Sequence, residues 1–165
     1  METDGFAIIS NVYTDAEINT FSKIISEADN SRTTFRKTND LFAIRQFFKE
    51  IPGAIELVFN HKLIGIIDSI FGSGFFVVKS IYFDKPENSN WFVAYHQDLT
   101  ISVAKKKEIE GFGPWTNKNN QFAVQPPLQI LEGNFTIRIH LDDTTEENGA
   151  LKVIPTSHQK GIFRP

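Results

Sequence analysis

The chain has 165 residues, 41% of them hydrophobic and 22% charged, which suits one globular domain over 1–165 and excludes a disordered or fibrous chain. Seventeen basic against twenty acidic residues give a net charge of −3, and with no basic block beyond Lys105-Lys106-Lys107 nucleic acid is not an expected partner. There is no cysteine, so disulfides, thiolate catalysis and sulfur-held zinc are excluded and any metal must take nitrogen and oxygen ligands.

In chain order, the acidic start Met1-Glu2-Thr3-Asp4 is unlike a signal peptide. No apolar run approaches the roughly 20 residues of a membrane span, so the expectation is a cytoplasmic protein with no membrane partner. Gly5 to Ile9 is a short apolar run. Thr14-Asp15-Ala16-Glu17 has the form of a capping box and predicts a helix whose apolar stripe is Ile18, Phe21, Ile24, Ile25 and Ala28. Thr33 to Asn39 reads as loop. From Leu41 to Gly72 the pattern is again helical, with Leu41, Ile44, Phe47 and Phe48 on one stripe, a break at Pro52-Gly53 and Gly72 as C-cap.

Beyond Gly72 apolar residues alternate. Phe75 to Asp84 and Trp91 to Ser102 read as strands joined by a turn at Pro86 to Ser89. Lys105 to Gln121 is a long excursion rich in Lys, Gly and Asn. Phe122 to Leu131, Asn134 to Asp142 and Ala150 to Ile154 follow as strands, with a hairpin turn at Glu146 to Gly149. Helices thus precede strands, which predicts an α+β fold with an antiparallel sheet or barrel. Sixteen Phe against three Tyr and two Trp predict a core or pocket lined by rings that need no hydrogen-bond partner.

His96-Gln97-Asp98 is the strongest local feature. On a strand, residues i and i+2 share a face, so His96 and Asp98 can reach one cation while Gln97 points away. One imidazole and one carboxylate are two of the three ligands of the facial triad that holds non-haem Fe(II); a hydrogen-bonded surface pair is the competing reading. Phe135 to Asp142 alternates strictly, with Thr136, Arg138, His140 and Asp142 opposite the apolar set. That polar face either meets water or lines a cavity beneath helices that cover the other face.

The stretches WFVAYHQDLTISV (residues 91–103) and QFAVQPPLQILEGNFTIRIHLDDTTEENGALKVIPTSHQKG (residues 121–161) resemble the phytanoyl-CoA dioxygenase family of Fe(II)- and 2-oxoglutarate-dependent oxygenases. Asn148-Gly149-Ala150-Leu151 and Ile154-Pro155-Thr156-Ser157-His158 match the family's NGAL and IPGSH elements, with Thr156 in place of the usual Gly and Gln159 intervening before Lys160. The resemblance implies a double-stranded β-helix (a cupin-like jelly roll) with N-terminal helices on the major sheet. It implies His96 and Asp98 as metal ligands, Fe(II) and 2-oxoglutarate as cofactor and cosubstrate, and oxygen and a small organic substrate as reactants. Lys79 matches a basic position that can reach the cosubstrate, and Arg138 is a second cation for a dicarboxylate; a salt bridge is the alternative for each.

The family's distal iron-binding His and its 2-oxoglutarate Arg lie beyond the PGSHK segment, whereas this sequence ends at Pro165. The expectation is therefore a C-terminally truncated domain without its last strands, in which an open sheet edge invites a homodimer. His140, on a strand expected to face the cavity, is the nearest stand-in ligand or pocket residue. His158 belongs to a loop feature, and His61 precedes a helix as a surface residue. Trp115 sits on the long excursion as a lid or a packed anchor. Three readings follow: an oxygenase, an inactive jelly-roll protein that binds a small molecule, or a relic completed by a second copy.

Overall fold

The computed structural model describes residues 1–38, 41–84, 93–118, 120–147 and 149–163. The capping box forms as the sequence predicts. The Thr14 N–H and hydroxyl both donate to the Glu17 carboxylate at 2.7 Å, and Glu17 N–H donates back to Thr14 Oγ1 at 3.3 Å, satisfying amides that the first helical turn leaves bare. Helix α1 runs Asp15–Ser26 and buries Phe21 and Ile25. Tyr13, just ahead of the cap, stands edge-on to Phe21 at 5.5 Å and donates its hydroxyl to the Val58 carbonyl at 2.7 Å.

The chain then departs from the helical pattern. Strand β1 (Phe35–Thr38) occupies the segment expected as loop, and β2 (Leu41–Arg45) the start of the segment expected as helix. They pair antiparallel, Phe35 opposite Ile44 and Lys37 opposite Phe42. Ala43 and Ile44 are both buried. A strand covered on both faces reads as a continuous apolar run, which periodicity alone cannot tell from a helix. Gln46 turns the chain in the left-handed region, φ 55°.

Helices α2 (Phe47–Glu50), α3 (Ala54–Val58) and α4 (His61–Phe71) follow. Asn60 caps α4 by accepting from Leu63 N–H at 2.9 Å, and Gly72, φ 82°, ends it, as Gly does with no Cβ to clash. Strand β3 (Ile81–Asp84) pairs with the free side of β2, giving the antiparallel sheet β1-β2-β3. Only this C-terminal part of the Phe75 to Asp84 run forms a ladder.

A second antiparallel sheet, ordered β4-β6-β5, comprises β4 (Ile101–Val103), β5 (Trp115–Lys118) and β6 (Gln121–Val124). Strand β4 is the only laddered part of the Trp91 to Ser102 segment among the described residues; Trp91, Phe92 and the Pro86 to Ser89 turn lie outside them. Strand β6 ends where Pro126-Pro127 follow, and a short helix α5 (Leu128–Glu132) replaces the rest of the Phe122 to Leu131 strand. Trp115 opens a strand, paired with Val124, and is not on a loop.

Residues 134–142 and 150–154 carry no ladder, yet the first separates its faces as its alternation predicts. Phe135 stacks on Phe71 of α4 at 3.8 Å between ring centres and 6° between planes. Ile139 and Leu141 pack onto the two core clusters, one around Ile25, Ile44, Phe47, Ile51 and Ala54, the other around Phe21, Val58 and Leu63. Alternation reports which face is covered, not which neighbour supplies hydrogen bonds. The Phe content goes into a relay of rings, with Phe35, Phe42, Tyr82, Phe47, Phe48 and Phe59 in successive contact at 5.7 to 6.2 Å, a spacing at which tilted and edge-on rings attract.

A 3-10 helix, Ser157–Lys160, returns to the N-terminal residues. Thr156 N–H donates to the Asp4 carbonyl at 3.1 Å, while His158 Nε2 and Gln159 Nε2 donate to the Glu2 carbonyl at 3.2 and 3.0 Å. Gly5 has φ +84°, and a Cβ there would run into the His158 ring, so the approach requires Gly twice over.

Candidate functional site

His96-Gln97-Asp98 divides its side chains as a period of two demands. Gln97 is half-buried, and His96 and Asp98 are exposed. The Gln97 amide grips the segment after the 3-10 helix: Nε2 donates to the Gly161 carbonyl at 2.8 Å and Oε1 accepts Phe163 N–H at 2.8 Å. The residue between the two candidate ligands thereby fixes the backbone that carries both.

His96 Nδ1 lies 2.8 Å from the Ala94 carbonyl oxygen. A carbonyl can only accept, so Nδ1 carries the hydrogen and Nε2 keeps its lone pair in the neutral ring. A metal-ligating imidazole is commonly oriented by the same device, a ring N–H donated to a backbone carbonyl. Glu146 and Lys152 form an ion pair. The Glu146 hydrogen bond and charge raise the Lys152 ammonium above its usual range, Tyr95 adding to this, and the same partner lowers Glu146. The 146–152 turn is closed by Ala150 N–H on the Thr145 carbonyl at 2.9 Å; Asn148, within it, lies outside the described residues.

The remaining predicted residues are placed individually. Arg138 is exposed and donates to the Gly149 carbonyl at 3.4 Å, and exposed His140 bonds Thr144 Oγ1 at 2.8 Å. Lys79 is exposed, and Trp115 is half-buried. His61 is the exposed first residue of α4, as expected of a surface residue, and His158 is engaged with Glu2. None of Lys79, His96, Asp98, Trp115, Arg138 or His140 lines either of two open clefts, one between Ile9 to Val12 and α4, the other between β1 and β5.

The donors at His96 and Asp98 are of the kind that Fe(II) accepts, and the tautomer of His96 suits ligation. Among the described residues no group of three His, Asp or Glu side chains is placed to hold a metal. The described residues thus supply donors of a suitable kind and do not complete a metal centre. No described helix is long and apolar enough to cross a membrane.

Whole-chain comparison supplies the class. The chain belongs to the phytanoyl-CoA dioxygenase family (PhyH), whose sequence model matches residues 1–164. No curated protein and no solved structure matches it. Oxidoreductase chemistry of the dioxygenase type, with Fe(II) and 2-oxoglutarate, is the family's general property.

Proposed function

We propose that this chain is an Fe(II)- and 2-oxoglutarate-dependent dioxygenase that hydroxylates a small organic substrate, with His96 and Asp98 as two of the iron ligands. The observation that carries this is the His96–Ala94 hydrogen bond, which leaves the lone pair on Nε2 of a histidine two residues ahead of an exposed aspartate, in a chain of this family. Bound Fe(II) with 2-oxoglutarate supplies the oxidising power for C–H hydroxylation. The chain's own groups hold and orient: the Ala94 carbonyl sets the His96 ring, Gln97 anchors the extended segment to Gly161 and Phe163, and Lys79 and Arg138 offer cations to the dicarboxylate. Trp115 and His140 belong to the substrate side. In this reading the two sheets are parts of one double-stranded β-helix domain in a cytoplasmic protein.

The test is anaerobic calorimetric titration of the whole protein with Fe(II), alongside succinate release from 2-oxoglutarate. His96→Ala and Asp98→Asn should each weaken Fe(II) binding by more than the roughly 10- to 100-fold typical of losing an outer-shell partner. Unchanged affinity in both variants, or no Fe(II) binding by the unaltered protein, would overturn the assignment.

A further inference from the structure

The two sheets each end in an edge strand, β1 in one and β5 in the other, and a cleft of about 610 Å³ opens between them. Its walls are Thr33, Phe35, Arg36 and Lys37 at β1, Arg45 at the end of β2, and Asn117 and Lys118 of β5. Arg36 pairs with Ala43 across the ladder, so Arg45, two residues on, shares its face as a diagonal neighbour. Lys118 faces them from the other sheet.

Four basic residues thus border one cleft in a chain whose net charge is −3; Arg36 and Arg45 share one face of their sheet, and Lys37, next along β1, lies on the other. No carboxylate is among the described wall residues. None of the four is among the ion pairs between described residues, which join Lys23 to Glu27, Arg32 to Glu50, Lys106 to Glu108 and Lys152 to Glu146. Like charges gathered on one cleft raise the energy of the empty site and lower it again when an anion enters.

We propose that this cleft is a binding site for a small anion carrying two or more phosphoryl groups, separate from the His96 and Asp98 region. Each phosphoryl group spreads its charge over several oxygens. Arg36 and Arg45 can clamp one group through paired N–H donors while Lys118 neutralises the next as a point charge. The Thr33 hydroxyl adds a neutral donor at the rim. The chain's overall negative charge opposes a long polyanion and leaves a short one, matched to the cleft, as the occupant.

The test is calorimetric titration of the whole protein with sodium tripolyphosphate near physiological ionic strength, where screening removes diffuse attraction. The expected result is saturable one-to-one binding that Arg36→Gln with Lys118→Gln weakens about tenfold or more, since two charge-assisted contacts are lost. Lys105→Gln with Lys107→Gln removes the same charge from another exposed segment and should change affinity less than about twofold. Absence of saturable binding, equal weakening in the two double variants, or citrate binding as tightly as tripolyphosphate would each overturn the proposal. Amide shifts of the unaltered protein during the titration give a second readout independent of any variant. Shifts centred on residues 33–37 and 117–118 support the site, and shifts centred elsewhere overturn it.

Discussion

Gln97 and Gly161, 64 positions apart, are joined by a 2.8 Å hydrogen bond from the Gln97 amide to the Gly161 carbonyl, and the same amide accepts Phe163 N–H. Gln97→Leu keeps the bulk and removes both bonds, at a net cost of about 1 kcal/mol each. Amide exchange at Phe163, which loses one of the two, should then accelerate by roughly fivefold, the factor that about 1 kcal/mol represents. Hydrogen-exchange mass spectrometry over residues 93–98 and 161–163 reads this directly; unchanged protection would show that the amide is not what fixes the segment.

Glu17 gives the fold an acid-sensitive contact. Hydrogen bonds from the Thr14 backbone and hydroxyl, then from Asn60, pull its carboxyl from 4.5 to about 2. A group depressed in the folded state favours folding above its unfolded value, and that contribution is lost as pH falls through about 2. Thermal midpoints of the unaltered protein and Glu17→Gln should therefore differ most near neutrality and converge toward that limit. A gap independent of pH would refute the capping role of the ionised group. Thr14→Ala should cost about 1 kcal/mol near neutrality.

Two phenols should resist ionisation. Burial raises both Tyr13 and Tyr82 to about 12, helped by Glu17 for the first and by Asp84 and Asp142 for the second. Raised folded values favour the native state below the unfolded value near 10 and lose that contribution as pH climbs toward 12. An absorbance titration of phenolate should show both rings ionising late, in step with unfolding. Ionisation of all three tyrosines near 10 in the folded protein would contradict this.

Core position and surface position should differ sharply. Ile44 is 0% exposed and Ile8 is 89% exposed. Ile44→Ala should cost about 2–5 kcal/mol, the lost transfer energy plus a cavity, whereas Ile8→Ala should stay within about 0.5 kcal/mol. Urea melts of the two variants measure both.

Much of this architecture is visible in local sequence signals, because caps and turns depend on few residues. Thr14 with Glu17, Asn60 before α4 and Gly72 after it act within a turn of chain, and each forms as its residue type dictates. Strand β2 was hidden because Leu41 to Ile44 is apolar on both faces, so no alternation marks it. Strand β1 was hidden because, of its four residues, only Phe35 is not fully exposed, and Arg36 and Lys37 resemble a loop. The same two basic residues line the β1–β5 cleft, which no spacing rule could find. Arg45 and Lys118 join them only through tertiary placement. At the candidate metal site, the division of His96 and Asp98 from Gln97 follows from the period of two, whereas the His96–Ala94 and Gln97–Gly161 contacts depend on a backbone path that periodicity does not describe.

The contacts of residues 2–5 with residues 156–159 also impose an order in time. Glu2, Asp4 and Gly5 find their partners only after more than 150 intervening residues have been made. During synthesis at about 5–20 residues per second, the Thr14 cap can close within moments of emerging, while residues 2–5 wait for the ribosome to deliver Thr156 to Gln159. This clasp accordingly forms on a nascent chain only after the elements from α1 to α5 have been made.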